Sequence, residues 1–150
     1  MEIHLDLLRY KDQLRVKRQA DKRLIFDPIR KKWLVLQPEE MVRQLVLEYL
    51  LRDLGYNSNR ISMERGLKVN TLDRRFDLLV YNKDVKPYLL IECKAPQIKI
   101  SQAVFEQISW YNSSLQVPYL MVTNGRENYC CWMDYEAKSY RFLDAVPTPE

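Results

Sequence analysis

The stretch that most constrains this chain is "YLLIECKAP", residues 88–96. Its apolar run calls for a buried strand, yet Glu92 and Lys94 arrive before it ends, separated by Cys93. Ionised side chains are costly to bury unless they are paired or bound to a metal. Side chains alternate faces along a strand, so Glu92 and Lys94 point one way. Cys93 joins Leu89 and Ile91 on the other face, a plain core role. The run "RFDLLVYN" places Asp77 with Leu79 and Tyr81, while Phe76, Leu78 and Val80 face away. If the two strands pair, Asp77 and Glu92 approach each other with Lys94 beside them.

The flanking sequence supplies the frame. "MEIHLDLLRYKDQLRVKRQA" is read as a mobile or partner-bound arm, with a few apolar residues at roughly helical spacing. Asp27-Pro28 reads as a turn and "KKWLVL" as a short extended stretch. Val42, Leu45, Val46, Tyr49 and Leu50 recur at i, i+3, i+4, i+7 and i+8, an amphipathic helix that Pro38, Glu39 and Glu40 can open. "LGY" ends it, Gly55 being suited to a left-handed cap. Three extended runs follow, "ISMERGLKV", "RFDLLVYN" and "YLLIECKAP". "ISQAVFEQISWYNSSL" reads as a second helix, and "YLMVTNG" as a strand closed by Asn124-Gly125. "NYCCWMDY" and "SYRFLDA" look like a final hairpin, and "VPTPE" like a loose tail. The expected fold is α/β, a mixed sheet flanked by helices in the order αβββαβ with a C-terminal β-hairpin. The expected divisions are a basic arm 1–22, one domain 23–146 and a tail 147–150.

Composition excludes several function classes. With three glycines there is no glycine-rich phosphate loop, so ATP-driven translocation is excluded. One histidine, His4, and three cysteines without a C-x-x-C pair argue against structural zinc and against Ser-His-Asp or Cys-His catalysis. No signal peptide opens the chain and no apolar run is long enough to span a bilayer, so a cytoplasmic protein with reduced thiols and no membrane partner is expected. The net charge of +4 is unevenly spread: residues 11–32 hold nine Lys/Arg against three Asp. That segment reads either as an arm following a nucleic-acid backbone or as a solvated charged face.

Two carboxylates held close repel unless something positive lies between them. Mg²⁺ suits the place, since it takes hard oxygen ligands and keeps several waters. Bound there, it would polarise a phosphoryl oxygen and sharpen a water nucleophile, with Lys94 orienting that water or stabilising charge on the phosphate. Such an arrangement hydrolyses phosphodiesters. The plain alternative is a strand-end salt bridge from Lys94 to Glu92 or Asp77.

The spacing D-(14 residues)-E-C-K, followed by "QISWY", resembles the PD-(D/E)XK nuclease superfamily. More narrowly, "FDPIRKKWLVLQPEEMVRQ", "LGY", "RRFDLLVYN", "IECKAP", "QISWYN" and "VTNG" resemble, in order, the N-terminal nuclease domain of type I restriction endonuclease R subunits, in its small free-standing bacterial version. The resemblance covers roughly Arg23 to Leu143. It implies a metal-dependent deoxyribonuclease of the restriction-endonuclease-like fold, using Mg²⁺ (or Mn²⁺) on DNA. Asp77 and Glu92 would be metal ligands, with Cys93 in the same metal set, and Lys94 the catalytic lysine. Gln107 and Tyr111, stacked on one helical face, would support the site and contact the DNA backbone. Glu40 on the first helix would complete the acidic set, Glu64 being the alternative. The proline that names the superfamily is absent, Phe76 standing before Asp77. A homodimer or a recruiting protein is the expected assembly. The competing reading is a nucleic-acid-binding or protein-interaction module that keeps the fold without turnover.

Overall fold

The structure, a computed structural model, describes residues 2–69, 72–111 and 115–150; for residues 64–69, 72–75 and 111 it describes the backbone only. Nine strands form two sheets among these residues. The first sheet is an antiparallel meander of β1 (Val16–Gln19), β2 (Lys22–Asp27) and β3 (Lys32–Val35). Helix α1 (Pro38–Arg52) follows, then β4 (Ile61–Val69), β5 (Leu72–Tyr81) and β6 (Pro87–Cys93). Helix α2 (Gln102–Tyr111), β7 (Tyr119–Thr123), β8 (Asn128–Asp134) and β9 (Ser139–Phe142) complete the chain. The six strands β4 to β9 lie in sequence order, antiparallel except where β7 runs parallel to β6. A parallel neighbour needs a crossover, and α2 lies within it. The order helix, three strands, helix, strand, hairpin is the one the sequence predicts.

Alternation along β6 builds the two faces of the large sheet. Leu89, Ile91 and Cys93 enter the core shared with Val42, Leu45, Val46 and Leu50 of α1. Leu90 turns the other way, into a core with Leu79, Val122 and Phe105 of α2. Pro38 opens α1, and Gly55, at φ 76°, turns the chain out of it. There the Tyr56 N–H returns to the Leu50 carbonyl (3.0 Å). Ser101 starts α2 by accepting the Val104 N–H on its hydroxyl (3.2 Å).

Two expectations fail at the termini. Residues 1–22 do not form a separate arm in the part described. Leu7 and Tyr10, three apart on a 3-10 helix (Leu7–Gln13), share a face and are buried against α1 with Ile3. Ile3 also exchanges hydrogen bonds with Asn128 on β8. The expected boundary at residue 22 cuts the β1–β2 hairpin, whose turn uses Ala20 at φ 54°. No glycine or asparagine marks that turn, and Asp21 is its one turn-favouring residue, a weak signal. The C-terminal tail is held as well. Val146 is buried, and the hydroxyls of Tyr56 and Tyr88 donate to the carbonyls of Pro147 and Thr148.

Candidate functional site

The β5–β6 ladder runs from Tyr81↔Pro87, through a register shift at Val80, to Leu78↔Ile91, and among the described residues it pairs no further. At that end the Asp77 carboxylate, through Oδ2, accepts the Cys93 N–H at 2.7 Å. Strand alternation is lost at the same place. Phe76 packs in the α2-side core with Leu79 and Leu90, and Asp77 reaches α1. The expectation that Asp77 shares a face with Leu79 and Tyr81 therefore does not hold. Where the ladder stops, a side-chain carboxylate has replaced a strand carbonyl as the acceptor, and the pleat no longer dictates direction. On its far side β6 stays paired, the Lys94 N–H donating to the Thr123 carbonyl (2.8 Å).

The opening is a polar cleft of about 330 Å³, lined by Phe76, Asp77, Glu92, Cys93 and Lys94 from the sheet and by Glu39 and Arg43 from α1. Asp77, Glu92 and Lys94 thus line one cleft, with Cys93 between them. The Cys93 side chain nonetheless lies in the α1-side core, 1 % exposed. Burial pushes its thiol well up, with the Asp77 charge adding to the effect. Metal ligation by cysteine needs the thiolate, so what Cys93 offers the cleft is its main chain.

Arg43 organises the acidic wall. Its Nη1 donates to Asp77 Oδ1 (2.6 Å) and to Glu39 Oε1 (3.1 Å), and its Nη2 to Glu40 Oε1 (3.1 Å). Glu40 does not line the cleft. It is buried one layer behind, accepting also from Gln44 (3.1 Å) and Arg30 (2.9 Å). Arg30 in turn pairs with Asp27 at the end of β2. Burial works to raise the Glu40 carboxyl, but hydrogen bonds from Arg43 and Gln44 and the charges of Arg43 and Arg30 outweigh it and hold the group below 4.5. Burial likewise works against the charge of Arg43, and Glu40 and Asp77 overcome it.

Gln107 is exposed on α2 and does not line the cleft. The side chains of Tyr111 and Glu64 lie outside the described residues. Sequence reasoning missed Glu39, Arg43 and Arg30. A signal for Arg43 exists: in "EEMVRQLVLEYL", Arg43 and Gln44 interrupt an otherwise apolar stretch, and both are buried. A buried arginine has to be paired, and Glu39 and Glu40 precede it by one helical turn.

Among the described residues, no group of three or more His, Cys, Asp or Glu is arranged to hold a metal ion. Mg²⁺ does not require three, since one or two carboxylates with water and phosphate oxygens commonly suffice. Asp77 and Glu92 in one polar cleft are hard donors of the right kind.

Residues 38–147 match the family described as the type I restriction enzyme R protein N terminus (HSDR_N). The chain belongs to this family. No curated protein is matched. A solved fragment of a putative HsdR subunit of a type I restriction enzyme from Vibrio vulnificus YJ016 is similar in fold, with a TM-score of 0.52 at 20 % identity. The likeness covers 75 % of this chain and 24 % of that one, so the chain spans about a quarter of the length of that structure. The HSDR_N match begins at the first residue of α1 and takes in every residue lining the cleft, whereas β1, β2 and β3 precede it. No helix among the described residues is long and apolar enough to cross a membrane.

Proposed function

We propose that this HSDR_N domain is a Mg²⁺-dependent deoxyribonuclease of the restriction-endonuclease-like fold, hydrolysing DNA phosphodiester bonds. The observation that carries the reading is the meeting of Asp77, Glu92 and Lys94 in one polar cleft where the β5–β6 ladder ends. Bound Mg²⁺ would supply Lewis-acid polarisation of a phosphoryl oxygen and a more acidic water. Asp77 and Glu92 would hold it. The Cys93 N–H fixes the Asp77 carboxylate, so that group is oriented before any ligand enters. Lys94, half-buried at the rim, presents an ammonium to phosphate oxygens or to the attacking water. Arg43 adds a second positive group to a cleft that must accept an anion.

The test is cleavage of supercoiled plasmid and of single-stranded DNA in Mg²⁺ or Mn²⁺, with wild type and Lys94→Ala prepared identically. The reading expects cleavage that EDTA abolishes and that Lys94→Ala loses by a factor of about 100 or more. Equal cleavage by both proteins would mark a contaminant and remove Lys94 from the chemistry.

One observation favours a second reading, a nucleic-acid-binding or protein-interaction module without turnover. Both Asp77 oxygens already have partners, Arg43 and the Cys93 N–H. That reading expects no metal-dependent cleavage by any variant, with binding intact.

A further inference from the structure

We propose that the β1–β2–β3 sheet is a second nucleic-acid contact, a platform that binds the phosphate backbone of the strand or duplex presented to the cleft. No part of this sheet falls within the HSDR_N match. Its charge differs from that of the remaining chain. Residues 11–32 carry nine Lys/Arg against three Asp, a balance of +6, while the whole chain carries 24 against 20, so everything outside the segment sums to −2. Arg15, Lys17, Arg18, Lys22, Arg23 and Lys32 are all exposed on these three strands or immediately beside them. Cross-strand register sets Arg18 directly opposite Arg23. Like charges opposite one another are destabilising, and a polyanion laid across them removes that cost.

An aromatic pair strengthens the case on the opposite face of the strands, the one that also carries Lys17 and Lys22. Phe26 and Trp33 face each other across β2 and β3 with ring centroids 5.3 Å apart. Arg15 lies 4.5 Å over the Phe26 ring, and Lys17 Nζ 4.2 Å over that of Trp33. Cations packed on rings are already ordered, so less side-chain entropy is lost when they meet phosphates. The sheet is also tied to the cleft. Asp27, its last β2 residue, pairs with Arg30, which pairs with Glu40, which holds Arg43 at the cleft wall. A nucleic acid is long enough to meet both surfaces, and its charge complements this one. The proposal does not depend on turnover at Asp77, Glu92 and Lys94.

The experiment is fluorescence anisotropy of a labelled duplex of about 20 base pairs and of its single strand, over a range of salt and in EDTA so that no cleavage intervenes. Wild type is compared with a combined Lys17→Gln, Arg18→Gln, Lys22→Gln, Arg23→Gln variant, and with a control carrying Lys83→Gln and Lys86→Gln on the β5–β6 loop. Thermal melts confirm folding, and Arg18→Lys with Arg23→Lys keeps the charge. The proposal expects the combined variant to bind at least about ten-fold more weakly, with a salt slope shallower by about three. The control and the charge-keeping variant should bind as wild type does. Unchanged affinity or an unchanged slope in the combined variant would overturn it. So would displacement of the duplex by polyglutamate at equal charge concentration, which would identify a surface for acidic proteins. Because binding is read in EDTA, its failure leaves the nuclease reading to stand or fall on the cleavage assay.

Discussion

Arg43 of α1 and Asp77 of β5, 34 positions apart in sequence, meet at 2.6 Å at the wall of the cleft. Their contact joins the helix to the strand end where the β5–β6 ladder opens. Arg43→Ala would leave Asp77, Glu39 and Glu40 without their shared counter-charge. Removing one partner of a buried pair costs about 3 kcal/mol, and urea unfolding at neutral pH should show a loss of that order. Arg43→Lys, which keeps the charge without the fork, should lose roughly half as much. Mg²⁺ should raise the Tm of Arg43→Ala more than that of wild type, because the cation restores the missing charge. An Arg43→Ala protein as stable as wild type would mean that the network contributes nothing.

Glu40 makes a pH prediction with a definite sign. Its carboxyl is held below 4.5 in the folded protein, so the charged form is the one that stabilises the fold. That contribution is complete above 4.5 and is lost as pH falls through the folded value. Glu40→Gln should cost about 2 kcal/mol near neutrality, from weaker bonds to Arg30 and Arg43. It should also flatten the decline in stability as pH falls below 4.5, read from urea midpoints over a descending pH series. A variant with the same acid dependence as wild type would assign the decline to other carboxylates.

The parts legible in the sequence were those with a local signature. The period of Val42, Leu45, Val46 and Leu50 gave α1, Gly55 its end, and the apolar run before Glu92 gave β6. The gathering of Asp77, Glu92 and Lys94 followed from pairing two such strands. What escaped depended on tertiary contact. The β1–β2 hairpin puts an alanine at its left-handed position, and Asp21 beside it is too common a residue to flag the turn. Arg43 is buried only because Asp77, distant in sequence, arrives beside it. Glu39 and Glu40 are neighbours with the same chemistry, and only the packing of α1 decides which one lines the cleft. Asp77 left the face that alternation assigns it because its own carboxylate took the Cys93 N–H.

Gly125, in the turn between β7 and β8, sits at φ 90°, and a Cβ there would lie 3.3 Å from Val42 Cγ2 on α1. The turn is otherwise well tied, with Asn124 Oδ1 accepting from Arg126 and Glu127 and Thr123 Oγ1 from Gly125 itself. Gly125→Ala combines an unfavourable φ with a close contact, and should cost about 1–2 kcal/mol. Tm should fall by about 4 °C. A companion Val42→Ala removes the contact and leaves the backbone conformation, so in a Val42→Ala background Gly125→Ala should still cost stability, though less than in wild type. No cost in that background would show that sterics alone fix glycine at this position.

Cys93 separates a main-chain role from a side-chain one. Its N–H fixes Asp77, while its thiol is buried in the α1-side core and pushed well up by that burial. Cys93→Ala keeps the amide and removes the sulfur. It should lose about 1–2 kcal/mol of stability to the small cavity and leave Mn²⁺ affinity, read by calorimetry, within about two-fold of wild type. Cys130 and Cys131 are buried too, the Cys131 thiol being pushed up to about 12. The native protein should therefore resist an aromatic disulfide reagent at mildly alkaline pH and expose all three thiols once unfolded in urea. Rapid labelling of Cys93 in the native protein, or loss of Mn²⁺ binding in Cys93→Ala, would place the sulfur in the cleft instead of the core. The β6 alternation that sends Leu89, Ile91 and Cys93 to one core would then have to break between Ile91 and Cys93.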